Sequence, residues 1–236
     1  YDAYFISTAF DLVKRKTDFL GAILLKWLKE DKISTKKVIT KILKREELAI
    51  DLKDSTFTNG SEQKLYNMMK TASRDGILES REFENWCDTN YDKILKWFDS
   101  ALNDTGLELE DRGYLEKKEA GFNKYIVGDK MFEDANQLYG LKKFLLEFAR
   151  MGEKTPIEVK LWEEYLMFAQ IFGIAEEVAK QFKILYPQVI EQKGNYNYNT
   201  FIFINHISHS GMQSASTAQM RAQSYNSGGG GFSSGG

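Results

Sequence analysis

The clearest spacing for metal chemistry lies in TASRDGILESRE, residues 71–82. With Thr71 counted as the first position, Asp75, Glu79 and Glu82 fall at positions 5, 9 and 12 of a helix–loop–helix calcium-binding loop. Calcium prefers carboxylate oxygens at positions 1 and 3 as well, but this sequence has Thr71 and Ser73 there. The three acidic residues are therefore weak calcium candidates, and we expect no binding at physiological calcium levels.

The same stretch also reads as two consecutive helices. Gly76 suits the end of one helix, and Ser80 suits the cap of the next. This structural interpretation is favoured over a metal site.

The two histidines and the single cysteine are the other candidates for metal binding or nucleophilic chemistry. His206 and His209 stand three residues apart, so a helix would place them on one face, but neither Cys nor carboxylate lies nearby to complete a metal site. Cys87 lies in FENWCDTNY on an apolar helical face, which predicts a buried structural thiol. We find no catalytic constellation and no phosphate-binding loop, and expect no cofactor.

A basic segment between Lys26 and Arg45 holds eight Lys or Arg against two acidic residues. Such a segment could contact anionic lipid or nucleic acid, but the charges alternate with apolar positions, which favours a solvated surface. The candidate lipid or partner contacts are Lys29, Lys32, Lys36, Lys37, Lys41, Lys44 and Arg45.

The elements around these residues are predicted from periodicity. Residues 1–16 form a helix, and Thr17 or Asp18 caps a second one. Alternation over residues 33–52 then predicts a β-hairpin. Between residues 59 and 130, three helices precede a second hairpin, which is a winged-helix-like order.

The winged-helix order raises the question of DNA binding. From Asp75 to Glu119 there are 13 Asp/Glu and 6 Lys/Arg, so the helix that would read DNA lies in an acidic region. Phosphate contacts supply most DNA affinity, so nucleic acid is a disfavoured partner and protein contact is preferred.

The strongest helical pattern runs from Gly140 to Pro187. Thr155, Pro156 and Glu158 are residue types that are typical of the start of a helix. Trp162, Tyr165 and Phe168 follow on one broad face, and their spacing predicts core packing rather than a ligand pocket. Gly173 is expected to interrupt the helix.

The resulting fold class is mainly α with small β-hairpins. We divide the chain into a helical segment with a hairpin (1–58), a winged-helix-like domain (59–130), a C-terminal helical hairpin or bundle (131–190) and a Gly/Ser-rich tail (191–236). Residues 201–204 could form a short strand or a docking helix. Disorder is expected from about Ser210 onward.

The 236 residues carry a net charge of −2 and one cysteine, so no internal disulfide can form and a reducing compartment fits. The longest apolar stretch, Tyr165 to Ala175, is too short for a bilayer crossing, which needs about 20 residues.

Three segments carry a family resemblance: GLKKFLLEF (140–148), LWEEYLMFAQIFGIAEEVAKQF (161–182) and the tail QSYNSGGGGFSSGG. The chain resembles the C-terminal part of the YciQ-like predicted bacterial membrane proteins, and FLGAILLKWLKEDKI (19–33) extends the resemblance weakly. The resemblance implies a membrane anchor followed by a cytoplasmic region, and no reaction.

The sequence thus favours a non-catalytic module for protein contacts or assembly, at the cytoplasmic face of a bacterial membrane. Two alternatives stay open: a winged-helix nucleic-acid binder, and an enzyme whose site is assembled from residues distant in sequence.

Overall fold

The computed structural model describes residues 1–13, 15–39, 45–117, 125–148, 161–188 and 197–227. These residues are mainly helical with two small antiparallel sheets, which confirms the predicted fold class. The helices are α1 (Asp2–Ala9), α2 (Lys16–Lys29), α3 (Gly60–Ser73), α4 (Ser80–Thr89), α5 (Tyr91–Asp111), α6 (Asp129–Phe148), α7 (Trp162–Ile171), α8 (Ala175–Leu185) and α9 (Tyr198–Ser227). The strands are β1 (Ser34–Ile39), β2 (Glu46–Asp51), β3 (Ile77–Glu79), β4 (Leu115–Lys117) and β5 (Tyr125–Val127).

The first sheet has the order β1-β2-β3 and joins segments that are distant in sequence. The β1–β2 hairpin forms where alternation predicted it, with Thr35 opposite Ile50. Ile50 also pairs with Leu78 of β3, a strand between α3 and α4 that the sequence analysis missed. The sheet therefore crosses the boundary predicted at residues 58 and 59.

The second hairpin pairs β4 with β5, with Glu116 opposite Ile126. Within the described residues this pair forms a sheet of its own, because β3 joins the first hairpin instead. The helices and the hairpin of residues 59–127 follow the predicted order. However, β3, which lies between α3 and α4, pairs with β2 of the first sheet.

The main core surrounds α2, whose Leu20, Leu24 and Leu25 have no solvent-exposed surface. The same core contains apolar side chains from α3, α4, α5, α7, α8 and α9. A smaller cluster beneath the second hairpin contains Ile6, Leu109, Leu115, Met131 and Ala135. Burial of these side chains supplies the main stabilising free energy of the fold.

The longest helix, α9, extends into the segment for which disorder was expected. The expectation was wrong for residues 210–227, which continue the helix that begins at Tyr198. Its buried side chains recur at helical spacing: Phe201, Ile204, Ile207, Met212, Ala215 and Ala218. The last two of these residues, Ala215 and Ala218, are small, so the C-terminal part of this face has a weak hydrophobic pattern. The Gly/Ser residues after 227 lie outside the described residues.

Two other helix boundaries differ from the predictions. Helix α1 ends at Ala9 rather than near residue 16, and Asp11 has a positive φ of 55°, a conformation that a helix does not accommodate. Helix α6 begins at Asp129, eleven residues before the strong helical pattern that starts at Gly140.

The interruption predicted at Gly173 is confirmed. Helix α7 ends at Ile171 and α8 begins at Ala175, and Gly173 has a φ of 69°, which favours glycine. The predicted start at Thr155, Pro156 and Glu158 lies outside the described residues. No helix of the described part is long and apolar enough to cross a membrane.

Candidate functional site

The acidic side chains of the 71–82 loop bind its own backbone. Asp75 Oδ1 accepts a hydrogen bond from the Ile77 N–H at 2.9 Å. Ser73, at loop position 3, is buried, and its Oγ accepts from the Gly76 N–H at 3.1 Å. These local bonds hold the turn between α3 and β3.

The other two carboxylates form a capping box at the start of α4. Glu82 Oε2 accepts from the Glu79 N–H at 3.2 Å, while the Glu79 side chain accepts from the N–H of Glu82. The predicted helix cap is thus present, but Glu79 provides it rather than Ser80. The expected lack of calcium binding at this loop stays a prediction to be tested.

The two histidines lie on α9 and the cysteine lies on α4, which packs against α9. Their environments differ. His206 and His209 are exposed on α9. Cys87 is fully buried on α4, and burial raises the pKa of its thiol to about 12, with a smaller contribution from Glu84. Cys87 is protonated at neutral pH, a poor state for a nucleophile. The described residues contain no group of three or more His, Cys, Asp or Glu side chains placed to hold a metal ion.

The basic residues of the first hairpin face carboxylates. Lys36 Nζ lies 3.6 Å from an Asp51 carboxylate oxygen, and Lys37 Nζ lies 2.7 Å from Glu46. Within residues 34–39 and 45–51, three Lys or Arg stand against three Asp or Glu. Exposed pairs of this kind contribute at most about 1 kcal/mol each to stability, but they reduce the positive field of the surface.

The other predicted contact residues lie in several places. Lys29 on α2 pairs with Glu164 on α7. Lys32 donates to the Thr56 carbonyl at 3.0 Å and lies over the Phe57 ring. Arg45 is exposed before β2. Lys41 and Lys44 lie outside the described residues.

A polar cavity of about 240 Å³ lies where the first turn of α2, the α7–α8 connection and α9 meet. Its lining residues are Arg15, Asp18, Gln170, Gly173, Ile174, Ala175, Glu176, Glu177 and Asn205. They come from segments distant in sequence, and Asp18 and Gln170 are both deeply buried there.

Asp18 is one of the side chains that line this cavity. The residue is 6% exposed, and its Oδ2 has no partner among the residues that the structure describes. Burial raises the pKa of Asp18 to about 6, although the positive charge of Arg15 partly offsets it. Asp18, expected as a helix cap, instead lies inside the first turn of α2, which begins at Lys16.

Gln170 contributes a second buried oxygen, and its orientation follows from its neighbours. Glu176 can only accept, so the Asn205 amide nitrogen must donate to Glu176 Oε1, at 2.6 Å. The Asn205 oxygen then faces Gln170 and accepts from its Nε2 at 3.2 Å. This leaves Gln170 Oε1 as the free acceptor, and it has no partner within the described part of the chain.

Two glycines make room for these polar side chains. A Cβ added at Gly21, in the middle of α2, would lie 2.7 Å from Gln170 Nε2. A Cβ added at Gly173 would lie 3.0 Å from Asp18 Oδ2. The close approach at Gly21 explains why glycine occupies the interior of α2, where it costs about 0.5–1 kcal/mol relative to alanine.

The sequence analysis did not identify this cavity. The available signals were Gln170 within the apolar stretch 165–175 and Gly21 within an otherwise strong helical pattern. Neither signal indicates which distant residue it meets.

A family model matches part of the chain. Residues 128–182 are similar to the family model described as predicted membrane protein (DUF2207) C-terminal domain. This region contains α6, α7 and most of α8, and it supplies Gln170, Gly173 and Glu176 to the cavity. No curated protein and no solved structure matched the chain.

Proposed function

We propose that this chain is a non-catalytic protein-contact module of a membrane-anchored bacterial protein, held at the cytoplasmic face of the membrane. The supporting observation is an exposed aromatic face within the region that matches the predicted membrane protein family. Phe132 and Tyr139 on α6 are 58% and 59% exposed.

The two aromatic residues are seven positions apart, so they lie on one side of α6. Phe10, the residue directly after α1, packs against Phe132, with ring centroids 5.8 Å apart. Val127, just before α6, is 44% exposed. Exposed aromatic side chains beside other apolar groups are typical of protein contact surfaces, where they bury large areas on binding.

The acidic residues and the cysteine that were considered as reactive groups have structural roles. This supports a non-catalytic module. Asp75, Glu79 and Glu82 bind backbone N–H groups, and the raised pKa of Cys87 keeps its thiol protonated. Nucleic acid is the less supported partner because carboxylates offset the hairpin cations.

Membrane attachment is supported by the similarity of residues 128–182 to a predicted membrane protein domain. The cytoplasmic side is supported by the composition: the single cysteine is free and buried, which fits a reducing compartment.

The contact surface can be tested by in-cell photo-crosslinking in the full-length gene product. A photoreactive residue at Phe132 or at Tyr139 should give a discrete protein adduct, whereas the same residue at Met220, 61% exposed on α9, should not. Adducts of equal yield at all three positions, or none at 132 and 139, would contradict the proposal.

Location is tested separately. Cell fractionation should recover the full-length protein with membranes, and protease added to intact spheroplasts should leave this region undigested. Recovery in the soluble fraction, or digestion from outside, would show that the placement is wrong.

A further inference from the structure

We infer that the polar cavity between α2, the α7–α8 connection and α9 binds a ligand that carries an ammonium or guanidinium group. The inference concerns a different surface from α6 and does not depend on the proposed function.

The cavity presents hydrogen-bond acceptors that need a donor. Asp18 Oδ2 and Gln170 Oε1 are both buried, and neither has a partner among the described residues. A buried acceptor without a donor destabilises the fold, and more so when it is charged. A ligand with N–H donors supplies the kind of group that these oxygens lack.

The charge of the lining favours a cation. Asp18, Glu176 and Glu177 carry carboxylates, and Arg15 is the one cationic side chain of the described lining. The first turn of α8 would by itself attract an anion, but three carboxylates at the same place outweigh a helix terminus of about half a charge. The ligand group is therefore positively charged.

The geometry favours an organic cation over a metal ion. The acidic side chains here do not form one of the three-residue groups that could hold a metal within the described chain. N–H donors, in contrast, can each use a single acceptor, including the amide oxygen of Gln170. The cavity of about 240 Å³ is several times the ~30 Å³ of a water molecule, so it admits the charged group with part of its alkyl stem.

The cavity is also constructed around these acceptors. Gly21 leaves space for the Gln170 side chain, and Gly173 leaves space for the Asp18 carboxylate. The hydrogen bonds through Asn205 to Glu176 fix the Gln170 amide so that its oxygen stays available.

The test is a ligand titration followed by NMR on the complete 236-residue chain, with the side-chain amides of Gln170 and Asn205 as probes. Butylammonium and butylguanidinium are the cations, and butanol is the matched neutral ligand. We expect saturable shifts of both amides with at least one cation and none with butanol. No saturable shift with either cation, or equal shifts with butanol, would overturn the inference.

A variant separates the site from general charge effects. Asp18→Asn keeps the side-chain shape and should weaken cation binding about tenfold or more, because a charged hydrogen-bond partner is lost. Glu133→Gln removes an exposed acid of α6 outside the cavity and should leave the affinity unchanged. Equal affinities in wild type and Asp18→Asn would overturn the assignment.

A second measurement needs no variant. Since the pKa of Asp18 is raised to about 6, wild-type affinity should fall as the pH is lowered from 7 to 5 and Asp18 takes up a proton. Glu176 and Glu177 are exposed, Arg15 stays charged, and His206 and His209 do not line the cavity. A pH-independent affinity over this range would contradict the role of Asp18.

The source of the cation is distinguished by two further ligands. Tighter binding of spermidine than of an acetylated Gly-Lys-Gly amide would indicate a small polyamine, and the reverse order would indicate a lysine side chain of a protein. Binding of either supports the site.

Discussion

The buried side chain of Gln170 on α7 occupies the space above the backbone of Gly21 on α2. A Cβ at position 21 would lie 2.7 Å from Gln170 Nε2 and 3.1 Å from its Cγ. Both distances are shorter than a normal contact, and Gln170 is 2% exposed with a hydrogen bond to Asn205. Displacing the side chain into the adjoining cavity would break its hydrogen bond to Asn205.

Gly21→Ala should destabilise the protein although alanine is the better helix former. The displaced Gln170 should cost about 1–3 kcal/mol, as overpacking generally does, against a helix-propensity gain of about 1 kcal/mol. Urea unfolding of the two proteins measures the difference.

Gly140→Ala is the matched control for this substitution. Gly140 also lies inside a helix, and no atom considered around it in the described structure lies within 4 Å of an added Cβ. It should gain up to about 1 kcal/mol. If both variants were stabilised equally, the close approach at Gly21 would be wrong.

Asp18 should make stability depend on pH in the direction opposite to most acidic residues. Its folded pKa of about 6 lies above the ordinary value of 3.8, so the folded state binds the proton more tightly. Stability should therefore fall as the pH rises through the interval from about 4 to 6 and stay lower above it.

Asp18→Asn should remove this contribution and stabilise the protein at pH 8 by about 1–3 kcal/mol. Urea unfolding at several pH values checks the prediction. Parallel profiles for wild type and variant between pH 4 and 7 would contradict the raised pKa.

The 71–82 loop should depend on its capping box and not on calcium. Glu82→Ala removes the acceptor of the Glu79 N–H and should cost about 0.5–2 kcal/mol, whereas Glu84→Ala, exposed on the same helix, should have little effect. Thermal unfolding of the wild type should be unchanged by calcium at about 0.1 mM, a level that would stabilise a micromolar site by more than 2 kcal/mol. Titration calorimetry that gave a micromolar dissociation constant would refute this.

Elements with strong apolar periodicity were predictable from the sequence. Leu20, Leu24 and Leu25 mark α2, and the alternation through Leu48 and Ile50 marks the first hairpin. In both, the local pattern and the tertiary environment agree. The part of α9 after residue 210 was missed because its buried face relies on small residues such as Ala215 and Ala218, whose contribution comes from close packing that a hydrophobicity pattern underestimates.

The cavity could not be predicted because it depends on tertiary contacts alone. Asp18 and Gln170 lie 152 positions apart in the sequence, and each has an ordinary local interpretation, as a helix cap and as one polar residue on a helix. Only the fold shows that both line one cavity.

Trp162 should behave as a core residue. It is fully buried at the start of α7, and its ring lies 6.1 Å from that of Phe182 on α8. Trp162→Ala should cost about 3–5 kcal/mol through lost burial and the remaining cavity. Tyr139→Ala, at an exposed aromatic position, should change stability by about 0.5 kcal/mol or less. Chemical denaturation compares them, and a Trp162 variant with unchanged stability would exclude a core role.

The last prediction concerns Glu62, which neutralises part of the basic segment from a buried position. Its carboxylate accepts from Lys26 Nζ and from Trp27 Nε1, each at 2.6 Å, and the residue is 2% exposed. Glu62→Ala leaves the buried indole N–H of Trp27 without this acceptor and should cost about 1–3 kcal/mol, whereas the half-exposed Lys26 can turn to water.

The control uses the same lysine. Lys26 also lies 3.8 Å from Glu30, but both side chains of that pair are more than 40% exposed. Glu30→Ala should therefore cost less than about 1 kcal/mol, and salt should screen most of the effect, whereas the loss at Glu62 should persist at high salt. Unfolding measurements at low and high salt compare the two variants. Equal, salt-sensitive losses would mean that Glu62 acts only as a surface charge.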